Sequence, residues 1–222
     1  MSKYKEYDNW KNAVEDETAD KYMFVNIATS GLPDRAPGGY HDFKKTKHYD
    51  RCRIVQLVWT VTDSDGNVIS SKNYIIKPDN FNIHREASKL HGITKDIAYA
   101  KGIDMNKVFK EFLKDIQTCE LLIAHNIEFD YNVLMSELFR NKQKDLMFIV
   151  KFIKKMCTGS ATKSLLKLPT KSAYDDYKMP KLTELYKWCF KENIGKYDVQ
   201  GNIDALVKIY SHLKQKYNMT KA

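Results

Sequence analysis

The sequence predicts an α/β fold in which a mixed β-sheet is flanked by α-helices. Three features carry that reading. Tyr22 to Ala28 (YMFVNIA) is a short apolar run suited to a buried strand. Two strand-like segments follow, joined by a tight-turn signal, and beyond them apolar runs alternate with stretches of helical spacing. A hairpin followed by helices and strands in turn is the order that a mixed sheet needs.

The elements run as follows. Thr29 to Asp50 reads as a loop, broken by Gly31, Pro33, Pro37, Gly38 and Gly39. Arg53 to Thr62 (RIVQLVWTVT) is β-branched and half alternating, and Val68 to Lys77 is its partner strand across Asp63 to Asn67 (DSDGN). Asn106 to Ile116 repeats apolar residues at helical spacing. Glu120 to Ala124 is a short buried strand, with a helix from about Phe129 to Phe139 after it. Leu182 to Phe190 and Asn202 to Lys216 are amphipathic helices. There are no repeats or low-complexity tracts.

At 222 residues and 43% hydrophobic content, the chain suits one domain with a sizeable core. The expected organisation is a polar lead-in over 1–20, a single domain over 21–217 and a tail over 218–222. A net charge of +9 favours a polyanionic partner, although a solvated lysine-rich surface is the plain alternative. Cys52, Cys119, Cys157 and Cys189 are far apart, form no CxxC pair, and suit reduced core thiols. The first residues are charged rather than apolar, and no run approaches the roughly 20 apolar residues of a membrane span. A soluble, intracellular protein is expected.

Five segments point further. Phe24 to Pro33 reads FVNIATSGLP, Leu121 to Asp130 reads LLIAHNIEFD, and Tyr197 to Leu206 reads YDVQGNIDAL. Between them lie HGIT (His91 to Thr94) and MPKLTEL (Met179 to Leu185). In this order the chain resembles the DEDDh-type 3′–5′ exonucleases, a DnaQ-like family of RNase H-like fold. Their motifs run D-x-E-T-(T/S)-G-L, A-H-N-x-x-F-D and H-x4-D. The resemblance spans residues 21 to 215 and implies an RNase H-like sheet and a cleft for a 3′ end. In an active member it also implies two Mg2+ or Mn2+ ions.

The departures are as informative as the matches. Asn26 and Ala28 stand where the family has its first Asp and Glu, Tyr197 where it has His, and Asn202 where it has the last Asp. Asp130 alone keeps the family's carboxylate. Two divalent ions about 4 Å apart are held by carboxylate charge. The amides Asn26 and Asn202 keep shape and oxygen donors without charge, and Ala28 removes a ligand outright. One carboxylate makes Asp130 a weak metal ligand. Tyr197, ordinarily titrating near pH 10, is a poor general base beside a histidine. No cofactor is therefore expected as the chain is written, and the cleft should repel a phosphate backbone less.

Nearby acids offer little rescue. Asp204 lies about 200° around a helix from Asn202, Asp198 belongs to a turn or helix start, and Glu128 suits the first turn of a helix. A subclass with Y-x3-D in the third motif does not fit, because Gly201 follows Tyr197 at that spacing. Natural loss and deliberate inactivation of an active nuclease both explain the changes. Four altered positions, each one base change from the family residue, favour natural loss.

The substrate-handling positions are better kept. Thr29, Ser30, Gly31 and Leu32 match the loop that receives the 3′-terminal nucleotide, through backbone amides and an apolar wedge. His125 and Asn126 match the pair at the strand-to-helix turn, where Asn can contact the strand; a satisfied core histidine is the plain alternative for His125. His91 suits a role in fixing a loop. Eleven lysines against four acids between residues 151 and 196, Lys178 and Lys181 among them, make that segment strongly basic. Lys44, Lys45, Lys47 and His48 form a second patch. Tyr174, Tyr177, Tyr186 and Trp188 could stack on bases, although Tyr186 and Trp188 suit the core. The partner expected is DNA or RNA, at a 3′ end or single strand, with an acidic protein or larger assembly as alternative. Three functions follow: a binding protein without efficient hydrolysis, a mutated active exonuclease, or an interaction module reusing the fold.

Overall fold

A computed structural model describes residues 20–171, 175–195 and 198–217. The expected lead-in and tail fall almost wholly outside these residues, and so do Tyr174, Lys196 and Tyr197. The chain begins with β1 (Tyr22–Thr29), a short hairpin of β2 (Arg35–Ala36) and β3 (Gly39–Tyr40), and a 3-10 turn at Thr46–Tyr49. Next come β4 (Ile54–Thr62), β5 (Val68–Ile75), α1 (Arg85–His91), α2 (Lys95–Lys101), α3 (Met105–Ile116), β6 (Leu121–Ala124) and α4 (Ile127–Arg140). The remainder is α5 (Lys144–Phe152), β7 (Lys154–Cys157), α6 (Thr158–Ala161), α7 (Lys163–Leu166), α8 (Leu182–Phe190) and α9 (Val199–Tyr217).

The main sheet has the order β5-β4-β1-β6-β7. β1 is central, antiparallel to β4 and parallel to β6, and β6 is parallel to β7. This is the mixed sheet that the sequence predicts. A central strand must be apolar on both faces, and β1 is. Met23, Val25 and Ile27 pack toward α3, α4 and α5, whereas Tyr22, Phe24 and Ala28 pack toward α9. α8 then packs on the outer side of α9 through Leu185, Ile209 and Leu213.

Local chemistry sets the boundaries. The Asp63 carboxylate accepts from the Asp65 and Asn67 amides, and Gly66 takes φ +93°, which closes the DSDGN turn. Asp104 caps α3 by accepting from the Asn106 and Lys107 amides. Trp59, fully buried on β4, donates to Asp115 at 2.7 Å and so locks α3 to the sheet. The span read as loop, Thr29 to Asp50, contains the β2–β3 hairpin. α4 starts two residues before the expected helix and α9 three before, the latter because Asp198 accepts from the Gly201 amide at 2.8 Å. Among the described residues, no helix is long and apolar enough to cross a membrane. All four cysteines are free thiols.

Candidate functional site

The site forms where β1 outruns its neighbour. β6 pairs with β1 only as far as Phe24, so beyond that residue the β6-side edge of β1 meets the start of α4. Asp130, in the first turns of α4, accepts from the Ile27 backbone amide there. It is buried, at 6% exposure. Burial pushes its carboxyl up to about 8, and the Ile27 and Asp130 amides only partly offset this.

Asn26 and Ala28 lie on the opposite face of β1, toward α9. The Asn26 Nδ2 donates to the Val199 carbonyl at 3.3 Å, which ties the central strand to the first residue of α9. A carboxylate could not make this bond, because it has no proton to donate. Ala28 is buried and packs with Val58 and Val199. Asn202, one turn into α9, has a buried Oδ1 with no hydrogen-bond partner among the described residues. Tyr197 lies outside the described residues.

This donor set does not fit the two divalent ions of an active exonuclease. Among the described residues it offers one carboxyl, one amide already engaged and one neutral oxygen, where a divalent cation needs compensating charge. Among the described residues, no three His, Cys, Asp or Glu side chains gather as a metal site. The neighbouring acids are turned elsewhere. Asp204 accepts from Gln200 on the exposed side of α9, Asp198 caps that helix, and Glu128 is exposed beside Gly39 of the hairpin. The β2–β3 hairpin covers this corner. Its Tyr40 packs near Phe129 under the Arg35 guanidinium, and burial raises its hydroxyl pKa.

The Asn26 tether gives a direct prediction. Asn26→Asp restores the family residue, yet it loses the donor and sets a carboxylate against the Val199 carbonyl. It is expected to cost about 1–3 kcal/mol in urea unfolding. A variant as stable as the parent would show that the tether contributes nothing.

The loop after β1 is built tightly. Ser30 is fully buried: its amide donates to the Arg53 carbonyl at 2.8 Å and its hydroxyl to the Arg51 carbonyl at 3.1 Å, while it accepts from the Arg53 amide. Thr29 Oγ1 donates to the Gly31 carbonyl at 2.7 Å. A Cβ on Gly31 would lie 2.6 Å from the Arg51 carbonyl oxygen, so only glycine fits. His91 stands behind the loop, where burial lowers its pKa and the Thr29 carbonyl opposes that effect. Leu32 differs from its neighbours in being 76% exposed. Ser30 is thus a structural residue, and its amide is not open to a ligand.

His125 and Asn126 separate in the same way. The two ring nitrogens of His125 face Thr158 Oγ1 at 3.1 Å and the Pro180 carbonyl at 2.8 Å, and burial lowers its pKa. That is the satisfied core histidine, clamping the end of β6 to the segment before α8. Gly159 closes the same corner, because a Cβ there would lie 2.6 Å from the His125 carbonyl oxygen. Asn126 precedes α4 without a side-chain capping bond. Lys178 is paired with Glu184 at 2.8 Å, whereas Lys181 is exposed at the start of α8. Tyr186 is buried and donates to Glu192, and Trp188 stacks on Tyr217, so neither presents a free ring.

With this geometry established, comparison with known proteins decides the family. The sequence model of the RNase T exonuclease family matches residues 44–193. The chain belongs to that exonuclease family. The matched stretch starts after Asn26 and Ala28 and stops before Asn202, so it covers the His125–Asp130 corner of the site and not the altered positions. No curated protein matches the sequence.

Solved structures agree on the fold. E. coli exonuclease I in complex with a 5cy-dA13 oligonucleotide matches at a TM-score of 0.66 and 19% identity, over 88% of this chain and 40% of that one. The zinc-bound form of the E. coli exonuclease I complex with single-stranded DNA matches at 0.68 and 18%, over 90% and 41%. A product-bound exonuclease I matches at 0.68 and 18%, over 90% and 45%. This exonuclease-family chain spans about two-fifths of exonuclease I.

Proposed function

We propose that this chain holds the 3′ end or a single-stranded stretch of DNA or RNA without efficient hydrolysis. The observation that carries the reading is the state of the cleft. Asp130 is buried with its carboxyl pushed up to about 8, and Asn26 is committed to the Val199 carbonyl. With one carboxyl where the family has four, such a site attracts divalent cations weakly and repels phosphate little. Support for a nucleic-acid ligand comes from the family, from the oligonucleotide complexes of exonuclease I, and from the exposed Leu32 at the tip of a rigid loop. The net charge of +9 adds a non-specific attraction.

Labelled single-stranded DNA and RNA should bind with affinity that falls steeply as salt rises. Millimolar Mg2+ or Mn2+ should neither trim the 3′ end nor raise the unfolding temperature. Salt-insensitive binding would sink the nucleic-acid reading in favour of an interaction module. Metal-dependent trimming by this chain would refute the loss of hydrolysis. Joint reversion, Asn26→Asp with Ala28→Glu, Tyr197→His and Asn202→Asp, tests descent: recovered trimming means that only the chemistry was lost.

A further inference from the structure

The connection between β1 and β4 is far longer than the sheet needs. The two strands are antiparallel neighbours, which a two-residue turn could join, yet β1 ends at Thr29 and β4 begins at Ile54, so 24 residues intervene. They do not form a slack loop. The Asp34 amide donates to the His48 carbonyl at 2.9 Å, and His48 Nδ1 lies 3.3 Å from the Asp34 carboxylate, which ties the base of the β2–β3 hairpin to the 3-10 turn. The His41 ring stacks on that of His48, with centroids 3.6 Å apart and planes at 10°. Tyr49, 1% exposed, donates to the His41 carbonyl, and Arg140 of α4 donates to the Thr46 carbonyl and the Asp50 carboxylate. A long connection held this firmly presents a surface for use rather than merely joining two strands.

What it presents is positive charge. Lys44, Lys45, Lys47 and Arg51 are exposed, and their side chains make no ion pair or hydrogen bond among the described residues. The acids interspersed with them are engaged elsewhere: Asp34 faces His48, Asp42 accepts from the Lys44 amide at 2.8 Å, and Asp50 pairs with Arg140. The patch adjoins the cleft. The Arg51 carbonyl accepts from the Ser30 hydroxyl, at the root of the loop that carries Leu32, and the hairpin covers the Asp130 corner through Tyr40 and Phe129. None of the exposed large apolar residues falls between 33 and 53. Protein interfaces are built around an apolar anchor, whereas a phosphate backbone is held by spaced cations.

We propose that the segment from Asp34 to Arg51 is a phosphate-binding platform, on which Lys44, Lys45, Lys47 and Arg51 take the backbone of the strand whose 3′ end lies in the cleft. The proposal rests on the nucleic-acid reading above and extends the bound strand beyond its terminal nucleotide.

Salt titrations with fluorescein-labelled single strands of about 15 nucleotides, as oligo-dT and as oligo-rU, test it. In Lys44→Gln/Lys45→Gln/Lys47→Gln/Arg51→Gln the slope of log affinity against log salt should become shallower by about 3, because each phosphate contact on a single strand contributes about 0.7. Affinity at about 0.1 M salt should fall at least about tenfold. A matched variant, Lys101→Gln/Lys107→Gln/Lys110→Gln/Lys208→Gln, removes the same charge from exposed positions on α2, α3 and α9 and should bind within about threefold of the parent. All these side chains are exposed, so both variants should unfold at the parent's urea midpoint. Equal losses in the two variants, or no loss in either, would overturn the platform, while salt-dependent binding by the parent would leave the cleft reading intact. A parent that binds neither oligonucleotide, or binds without salt dependence, would overturn the nucleic-acid reading itself. If the platform variant lost affinity for polyglutamate but not for the oligonucleotides, the patch would belong to an acidic protein instead. A loss confined to oligo-rU would support the platform as an RNA site, and one confined to oligo-dT as a DNA site.

Discussion

Asp130→Asn is expected to stabilise the protein at neutral pH, an outcome opposite to that for a metal ligand in a working nuclease. The folded carboxyl sits near 8, against about 3.9 in an unfolded chain. Between those values the folded state keeps a proton that the unfolded state releases. Stability is therefore fully present below about pH 4, falls as pH rises through the window, and is lost completely above the folded value. At about 1.4 kcal/mol per pH unit, the ceiling on the loss by pH 7 is about 4 kcal/mol. Asparagine has nearly the same shape, still accepts from the Ile27 amide and cannot ionise. Urea unfolding at pH 4, 6 and 8 should show the parent losing stability relative to Asp130→Asn, with the two closest at pH 4. Equal curves would mean that the carboxyl is solvated or paired. A variant destabilised in Mg2+ alone would mean that it holds a cation.

That contrast shows what the residues made legible. β1, α8 and the strand order around the DSDGN turn follow from apolar periodicity and turn chemistry, and the family motifs mark Asn26, Ala28 and Asp130 as positions expected to share a cleft. The sequence marks Asp130 as a weak ligand but carries no sign of its burial. Its state depends on how far β1 outruns β6, which is a matter of register between segments about a hundred residues apart. The Asn26–Val199 bond joins residues 173 positions apart and has no local signature. β7 (KKMC) has no signature in the sequence, because a four-residue edge strand with two lysines lacks alternation; pairing with β6 makes it a strand. α1 and α2 are single short helices whose caps, at Gly92 and Thr94, outweigh any periodicity. For His125 the plainer alternative, a satisfied core histidine, matches its hydrogen bonds, and the polar atoms of Ser30 are likewise satisfied inside the fold.

The second large effect concerns Glu137, which no motif marks. It lies two turns beyond Asp130 on the same helix and meets Arg53 at the start of β4. The pair is sequestered: the Glu137 side chain is 2% exposed and that of Arg53 16%. Arg53 donates through Nε and, at 3.1 Å, through Nη2, and the Ile54 amide reaches the same carboxylate at 3.4 Å. Arg53 is also the backbone partner of Ser30, so this ion pair underpins the loop that carries Thr29 to Leu32. Glu137→Ala strands a buried guanidinium and should cost about 3–5 kcal/mol in urea unfolding. Affinity for a short oligonucleotide should fall as well, because an unpaired Arg53 guanidinium turning toward water pulls on the backbone that Ser30 is bonded to. Arg53→Met with Glu137→Leu separates the two effects. It removes both charges, so most of the stability should return, while the Ser30–Arg53 backbone bonds remain to hold the loop. A Glu137→Ala change costing under about 1 kcal/mol would show that water already reaches the pair. If the double variant stayed as unstable as the single one, the ion pair itself, rather than a stranded charge, would be what holds α4 to the sheet.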